Sequence, residues 1–320
     1  MALPQQRTQQ PQQQPPLPAK PSRMTLANIT RGVQAAPVRV LLYGVEGVGK
    51  STFGANAPNP IFIGAEDGTG CLDVARYPQP ESFSEAVEAV RDLTAADHDF
   101  KTLVLDTLDW LEPLVWAEVC RKGGKANIED FGFGKGYIAA VDEWRILLAS
   151  LEALRRAKQM HIVLLAHSWL KTFKNPMDED YDRYEMKLHA KAAGLLREWV
   201  DAVLFANYET IAAKNEKTKR VRGVSTGARL LHTTHSAAWD AKNRYSLPER
   251  LPLSWPDFFA AVRSGQVADP AKLRAEIETL AADAGEFGDR AIEALEKAGN
   301  DAVKLAQLLN WLQSKVEVTK

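Results

Sequence analysis

Residues 44–51 carry the pattern G-x-x-x-x-G-K-[ST], whose glycines, lysine and hydroxyl can together surround a chain of phosphates. An apolar run at 38–43 precedes the pattern and residues that favour a helix follow it, so it lies between a strand and a helix. Glycine lets backbone N–H groups close around phosphate oxygens, and the helix N-terminus adds partial positive charge. A glycine-rich turn without a ligand is the alternative, and this context disfavours it. The predicted ATP-binding residues are Gly44, Val45, Glu46, Gly47, Val48, Gly49, Lys50, Ser51 and Thr52.

Lysine, hydroxyl and carboxylate side chains predict how a magnesium ion would be held beside the phosphates. Lys50 is expected to reach the β and γ phosphates, and the Ser51 hydroxyl to coordinate Mg²⁺. A second apolar run, 102–105, ends in Asp106, and a carboxylate at the end of a neighbouring parallel strand would hold the hydration shell of the ion. Asp106 could instead cap the following helix, but Asp109 fits that position better. Ser51 and Asp106 are therefore the predicted metal ligands.

Two further strand ends carry side chains suited to hydrolysis. An apolar run at 61–64 leads into Glu66 and Asp67, and a carboxylate there could act as base for the water that attacks the γ-phosphate. Glu66 is the favoured base and Asp67 the second candidate; the alternative is that both are turn residues. His167 follows the run 161–166, where it could sense the γ-phosphate, with a core histidine as the alternative.

Short apolar runs alternate with longer amphipathic stretches, which is typical of an α/β fold with a mostly parallel sheet flanked by helices. Strands are predicted at Val38–Tyr43, Ile61–Gly64, Leu103–Asp106, His161–Ala166 and Ala202–Tyr208. Helices are predicted at Lys50–Asn56, Ser82–Leu93, from about Leu108, at Tyr137–Lys158 and at Ala190–Val200. Alternating apolar and polar residues at 209–242 predict antiparallel hairpins.

Composition divides the chain into three predicted parts. Residues 1–22 are Gln and Pro with almost nothing to bury, which predicts a disordered tail. Residues 23–263 form the predicted nucleotide-binding domain. A linker at 264–268 then opens a small C-terminal helical segment, 264–320, in which Pro270 suits the first turn of a helix.

Charge and composition limit the classes of partner. Lys and Arg number 40 against 41 Asp and Glu, so the protein is not basic all over and any nucleic-acid contact needs a local patch. Cys71 and Cys120 lack metal-ligand spacing and are expected to be free thiols in a reducing cytoplasm. No run reaches the roughly 18 apolar residues of a membrane span, so a soluble cytoplasmic protein without membrane contact is expected.

With these motifs in this order, the sequence resembles the RecA-like P-loop ATPases carried by phages, a group of single-strand annealing and recombination proteins related to RadA. The resemblance spans about Thr25 to Val262 and is strongest at Tyr43–Thr52, Glu66–Gly68, Leu105–Thr107 and Leu165–His167. It implies a Mg-dependent ATPase of the AAA/RecA type. It also implies a homo-oligomer that acts on single-stranded DNA in recombination or annealing, as a phage protein in the cytoplasm of a bacterial host.

A basic segment near residue 243 extends the resemblance. Residues 241–245, Ala-Lys-Asn-Arg-Tyr, are similar to the Lys-Asn-Arg motif of RadA-type proteins, which implies that Lys242 and Arg244 reach the ATP of a neighbouring subunit. Such a cation would stabilise the charge on the transferring phosphoryl group. Tyr245 and Ser246 replace the expected Phe-Gly, and a solvated hairpin is the alternative reading of the segment.

Residues 168–189 interleave aromatic and basic side chains, which suits single-stranded DNA because bases stack on rings while cations follow the backbone. The resemblance implies the same contact, whereas the acidic residues 178–180 oppose it and a plain surface loop is the alternative. The candidate residues are Trp169, Lys171, Phe173, Lys174, Tyr181, Arg183 and Tyr184. Two other basic clusters are candidates for phosphate contact: Arg121, Lys122 and Lys125, and Lys214, Lys217, Lys219, Arg220 and Arg222.

Two other function classes compete with a DNA-dependent ATPase. A P-loop kinase of small molecules would need an arginine-rich lid over two nucleotides. A nucleotide-gated interaction protein would use ATP to lock one conformation and would hydrolyse little of it.

Overall fold

The computed structural model describes residues 24–29, 36–66, 68–176, 179–214, 221–267, 270–282, 284–299, 301, 304–305, 307–309, 311–312 and 315, with the backbone alone at 27, 211–214, 221–225, 265–267 and 272. Met1–Gln34 and Ala35–Lys320 are two compact units. In the first unit a 3-10 turn covers Leu26–Asn28, and the predicted tail 1–22 lies outside the described residues. The second unit holds the other described elements.

Strands of the second unit form one extended sheet with a parallel centre and antiparallel margins. The strands are β1 (Arg39–Gly44), β2 (Pro60–Gly64), β3 (Ala75–Arg76), β4 (Thr102–Asp106), β5 (His161–Phe173), β6 (Tyr181–Met186), β7 (Ala202–Lys214), β8 (Val221–His232), β9 (Lys242–Asn243) and β10 (Arg250–Pro252). Their order is β10-β8-β7-β1-β5-β4-β2-β3, with β6 paired to β5 and β9 to β7. Strands β7 to β3 along this order pair in parallel, whereas β6, β8, β9 and β10 pair antiparallel.

Helices cover both faces of this sheet. They are α1 (Lys50–Ala55), α2 (Phe83–Ala95), α3 (Leu108–Gly123), α4 (Lys135–Lys158), α5 (Ala190–Trp199) and α6 (Trp255–Val267). Two further helices, α7 (Pro270–Ala282) and α8 (Glu286–Ala298), pack in a separate apolar cluster with residues 305, 309 and 312. One apolar cluster joins the sheet to α2, α3, α4 and α5, and a second joins the opposite face to α1 and α6. Within the described part of the chain, no helix is long and apolar enough to cross a bilayer. The predicted fold class, a mostly parallel α/β sheet flanked by helices with antiparallel additions, is confirmed.

Strand β1 shows why these residues take this position. Leu41 and Tyr43 are fully buried in the first cluster, and Val40 and Leu42 in the second, because successive side chains of a strand point to opposite faces. A strand that is apolar on both faces is stable only at the centre of a sheet covered on both sides. β1 therefore delivers the glycine-rich loop from a central strand that is covered on both faces.

Two segments differ from the predicted elements. β5 continues past Ala166, and its residues 168–173 pair antiparallel with β6 at 181–186, where a loop was predicted. α6 includes residues 264–267, where a linker was predicted. The antiparallel hairpin predicted after Tyr208 is confirmed, because β7 pairs antiparallel with β8. The extension of β5 lacks a continuous apolar run because it pairs outside the covered core.

A buried ion pair fixes the start of β1 against the start of β7. Asp201 Oδ2 accepts bonds from the backbone N–H of Arg39 at 3.2 Å and from its Nε at 3.1 Å, and Oδ1 lies 2.6 Å from its Nη2. Glu152 of α4 accepts a further bond from the same guanidinium at 3.3 Å. Burial acts to raise the pKa of Asp201, but the bonds from Arg39 outweigh it and the pKa is lowered.

Replacing Asp201 by Asn should destabilise the protein by about 2 kcal/mol at neutral pH, because the partly buried guanidinium of Arg39 would keep only Glu152 as an acidic partner. The pKa of Asp201 is lowered from an ordinary value of about 3.9, so its contribution is complete above about pH 5 and is lost as the pH falls through the lowered pKa. Urea unfolding at pH 7 and pH 3 tests this: the difference between the two proteins should shrink in acid.

The matched control is Asp142→Asn, which breaks an exposed pair with Arg145 and should change little at either pH. An Asp201→Asn protein as stable as the wild type at pH 7 would contradict the assignment.

Candidate functional site

The phosphate loop, residues 44–51, has the predicted strand–loop–helix conformation. β1 ends at Gly44 and α1 begins at Lys50. A Cβ on Gly44 would lie 2.3 Å from the Ala206 carbonyl oxygen on β7, so the parallel pairing of the two strands admits only glycine there. Gly47 (φ +70°) and Gly49 (φ +106°) have left-handed backbone conformations that cost other residues free energy.

Lys50 folds back into the phosphate loop. Its side chain is buried, and Nζ donates to the carbonyl oxygens of Gly44 at 3.3 Å and Val45 at 3.1 Å. Burial lowers the pKa of Lys50, while the nearby carboxylates, Asp106 first among them, oppose this shift. The ammonium group is therefore held at the loop by backbone oxygens that a phosphate could replace.

Asp106 is a buried carboxylate whose one neighbouring hydroxyl, that of Ser51, is not aligned to donate to it. The residue is 1% exposed at the end of β4, and within the described residues neither oxygen has a hydrogen-bond partner of good geometry. Burial raises its pKa, and the neighbouring Ser51 hydroxyl and Lys50 ammonium oppose that shift. An orphaned pair of carboxylate oxygens beside a hydroxyl fits Mg²⁺, which binds through one or two carboxylates, water and phosphate oxygens. No group of three or more His, Cys, Asp or Glu converges as a metal site in the described part of the chain, so the rest of the shell would come from water and ligand.

The predicted position of β4 was wrong in one respect. β4 does not neighbour β1; β5 lies between them and pairs with both. The strand ends still meet, because Gly44 is level with His167 on β5, and Leu105, next to Asp106, is level with Leu164. The carboxylate therefore reaches the phosphate loop from two strands away.

Asp109 holds His167, a contact that the sequence did not reveal. Asp109 Oδ1 accepts the backbone N–H of His167 at 2.9 Å, and Oδ2 lies 2.9 Å from its Nδ1. Burial acts to raise the pKa of Asp109, but the bonds from His167 outweigh it and the pKa is lowered. The N-cap of α3 is Thr107, so the cap role expected for Asp109 is wrong. Two features of the sequence could have predicted this contact: an acid in the first turn of α3, and a histidine at the end of a strand that pairs next to β4.

Glu66 lies in the same electrostatic neighbourhood. It follows β2, whose end is joined to β4 by a bond from the Ala65 N–H to the Asp106 carbonyl oxygen at 2.8 Å. Burial raises the pKa of Glu66; His167 lowers it, and the carboxylates of Asp106 and Asp109 raise it further. A partly buried carboxylate with a raised pKa is suited to accepting a proton near neutral pH. Asp67, the second candidate, lies outside the described residues.

Lys242 and Arg244 are engaged within their own chain. Lys242 Nζ donates to the carbonyl oxygens of Arg197 at 2.8 Å and Val200 at 3.1 Å, at the C-terminus of α5, and Arg244 Nη1 lies 3.4 Å from Asp201 Oδ1. β9 pairs with the first two residues of β7, whereas the phosphate loop is level with the fifth. Both cations therefore lie at the end of β7 away from their own phosphate loop. Their action on a neighbouring subunit stays a prediction.

Tyr245 and Ser246 stand where the resemblance implies Phe and Gly. Tyr245 is buried in the second apolar cluster. Ser246 has φ +52°, a backbone conformation that favours glycine.

Residues 168–186 expose only part of the predicted DNA-contacting set. Trp169 is 42% exposed, and the side chains of Lys171 and Lys174 are 53% and 84% exposed. Arg183 is wrongly assigned to DNA contact, because it is buried over the Phe173 ring at 4.7 Å and pairs with Glu185 at 3.2 Å. Tyr184, also a predicted contact, stacks on Phe205 of the core with ring centroids 5.0 Å apart.

The other two basic clusters offer less charge than the sequence suggested. Arg121 pairs with Glu118 at 2.8 Å, and Lys122 with Glu143 at 2.8 Å, so acids already neutralise the first cluster. In the second cluster Lys217, Lys219 and Arg220 lie outside the described residues, and only the backbone of Lys214 and Arg222 is described.

Replacing Asp106 by Asn should raise the stability of the nucleotide-free protein by about 1–3 kcal/mol, because it removes a buried charge without a hydrogen-bond partner. The same change should abolish the added stabilisation that Mg²⁺ gives in the presence of ATP. Thermal melting with and without Mg-ATP measures both effects. Asp257→Asn, the same change on an exposed position of α6, is the control. A lower melting temperature for ligand-free Asp106→Asn would contradict this account.

Comparisons with known proteins place this geometry in a family. The family model AAA_24, described as an AAA domain, matches residues 36–245, about two thirds of the chain. Among proteins with curated descriptions none matches the sequence. A crystal structure of the RadB recombinase aligns with 65% of this chain and 91% of its own, at 13% identity and a TM-score of 0.36. The matched residues include the phosphate loop, Glu66, Asp106, Asp109 and His167, and the chain belongs to this AAA-domain family of P-loop NTPases.

Proposed function

We propose that the protein binds Mg-ATP and hydrolyses it. The observation that carries this proposal is the buried carboxylate of Asp106, whose oxygens have no well-aligned hydrogen-bond partner in the described part of the chain, beside a glycine-rich loop that already encloses Lys50. A buried charge without a partner is costly, and its retention is explained when a ligand supplies the missing partner. Family membership supports the same conclusion.

Each charged residue of the site has a role in this proposal. Backbone N–H groups of the phosphate loop and the N-terminus of α1 bind the phosphates, and Lys50 neutralises the β and γ phosphates. Ser51 and Asp106 would hold Mg²⁺, which would supply positive charge to offset that of the phosphates. Asp109 positions His167 at the γ-phosphate through two bonds.

Glu66 acts as the base of the hydrolytic step. Its carboxylate accepts a proton from a water molecule while the water oxygen attacks the γ-phosphorus and the bond to the ADP oxygen breaks. Lys50 stabilises the charge that develops on the phosphoryl oxygens. The raised pKa of Glu66 makes its carboxylate a stronger base than an exposed glutamate, and therefore a better acceptor for the proton of the attacking water.

Replacing Glu66 by Gln should lower ATP turnover at least about 100-fold while leaving ATP affinity within a few-fold, because only the base is removed. Lys50→Ala should lose ATP binding itself. Phosphate release and binding of labelled ATP in magnesium buffer measure the two properties. Glu88→Gln, an exposed change on α2, should match the wild type. Unchanged turnover in Glu66→Gln would reject the assignment of the base, and wild-type protein that retains no ATP would reject the function.

We further propose that the protein acts on single-stranded DNA in recombination or annealing, as a homo-oligomer. Support comes from the sequence resemblance and from the β5–β6 hairpin, whose first strand leads directly from His167 to Trp169. Lys171 Nζ lies 5.8 Å from the Trp169 ring centroid and 3.8 Å from Glu185 Oε2, so an exposed ring and an exposed cation with one weak acidic partner share one surface. This pair suits a base and its phosphate.

Trp169→Ala should weaken binding of single-stranded DNA roughly tenfold, because the loss of one stacking platform costs about 1–3 kcal/mol. Lys171→Ala should lower the slope of log affinity against log salt by about 0.7, the value for one phosphate contact on a single strand. Fluorescence anisotropy at several salt concentrations measures both. Trp110→Ala and Lys297→Ala change exposed residues of the same types elsewhere and are the controls. Equal binding by all four variants and the wild type would reject the hairpin as the DNA site.

A nucleotide-gated interaction protein is the second candidate. The observation in its favour is that Lys242 and Arg244 bond within their own chain, so neither supplies the γ-phosphate cation that the resemblance implies. The two functions differ in turnover: stimulation by single-stranded DNA supports the ATPase, and a flat, low rate supports the gate. A kinase is disfavoured because a hairpin with a buried arginine follows His167 where an arginine-rich lid would be needed.

A further inference from the structure

We infer that Arg229 is a phosphate-binding residue of the same site, contacting the α and β phosphates of the nucleotide from β8. The inference rests on the proposed binding of ATP. It adds a residue 180 positions away from Gly49 in sequence, outside every motif that identified the site.

Arg229 lies directly against the phosphate loop. Its Nη1 atom is 2.9 Å from the position that a Cβ on Gly49 would occupy, and its Cζ atom is 4.0 Å from that position. Gly49 is the residue before Lys50, where the loop turns into α1. Glycine at residue 49 allows φ +106°, and a Cβ there would force the flexible end of the Arg229 side chain to shift from its present position.

Contacts on both sides position the arginine. Arg229 is level with Tyr208 on β7, and its Cζ lies 5.9 Å from the centroid of the Tyr208 ring. The Tyr208 hydroxyl in turn donates to the Gly47 carbonyl oxygen at 2.8 Å. On the other side, the Arg229 carbonyl oxygen accepts the Leu253 N–H at 3.0 Å. The strand and the tyrosine ring therefore hold the guanidinium at the loop.

The Arg229 charge has no acidic partner among the described residues. Other arginines near the sheet are paired: Arg39 with Asp201, and Arg183 with Glu185. Arg229 instead lies over a loop whose N–H groups and helix N-terminus are themselves positively polarised. An exposed guanidinium without a counter-ion beside such a loop is stabilised when an anion binds between them. The planar guanidinium fits two phosphate oxygens.

The position across the sheet indicates which phosphates are contacted. The groups that act on the γ-phosphate, Glu66, Asp106 and His167, come from β2, β4 and β5, all on one side of β1. Arg229 comes from β8, on the other side, beyond β7. A nucleotide whose γ-phosphate faces the first side presents its α and β phosphates toward the second. ATP and ADP share these two phosphates, so Arg229 should contribute to the affinity of both.

The test is the affinity of full-length Arg229→Ala and Arg229→Gln for ATP and for ADP, measured by calorimetry in magnesium buffer. Both variants should lose about 10- to 100-fold in affinity for each nucleotide, as expected for one charge-assisted contact. Arg229→Gln keeps a long side chain over Tyr208, so it controls for lost packing. Arg250→Ala, on the exposed edge strand β10, should bind as the wild type does. Ligand-free melting should be similar in all four proteins, because Arg229 is exposed.

The possible outcomes separate this inference from the proposed function. Equal losses for ATP and ADP in both Arg229 variants support it. Wild-type affinity in Arg229→Ala and Arg229→Gln overturns it while the proposed function stands. A loss for ATP with none for ADP overturns the assignment to the shared phosphates. A wild-type protein that binds neither nucleotide overturns both conclusions.

Discussion

Parallel strands that pair in register must end at the same edge of the sheet, and the candidate site depends on this constraint. Gly44 is level with His167, and Gly64 is level with Asp106. The ends of β1, β5 and β4 therefore place Gly44, His167 and Asp106 along one edge of the sheet. Glu66 follows two residues after Gly64, at the end of β2. No side chain needs to extend far, because the backbone pairing has already brought the groups together. The charges are consequently close enough to change one another's pKa values.

This arrangement opposes stability in the absence of ligand. Three carboxylates, from Glu66, Asp106 and Asp109, surround the cationic Lys50 and the His167 ring, and burial disfavours the charged form of each carboxylate. Two apolar clusters on the faces of the sheet offset this cost, and the Arg39–Asp201 pair secures the ends of β1 and β7 opposite the site. The electrostatic cost of the carboxylates at one edge of the sheet is thus offset by apolar packing on its faces, as expected where a protein retains charged groups for function.

Sequence patterns within a few residues predicted the phosphate loop and several helices. The features that they did not predict depend on pairing between strands that are distant in sequence. The phosphate loop, the helix capped by Ser82 and the helix that begins at Pro270 are encoded within a few residues, and the structure has them at the expected places. The order of strands is not local, so β5 was not expected between β1 and β4. The bond between Asp109 and His167 joins residues 58 apart in sequence, and Arg229 reaches the phosphate loop only through the pairing of β8 with β7. The spacing of residues in the sequence does not predict contacts between segments that are so far apart along the chain.

Helix α3 connects the candidate site to the exposed hairpin. Asp109 holds His167, where the segment 167–189 begins. One helical turn later, both oxygens of Glu112 accept the backbone N–H of His189, where that segment ends, at 3.1 and 3.0 Å. Burial raises the pKa of Glu112 to about 7, against the effect of the His189 bond, so this link is itself sensitive to protonation near neutral pH. The first turns of α3 therefore hold both ends of the segment that contains the β5–β6 pair, one end through Asp109 and the other through Glu112.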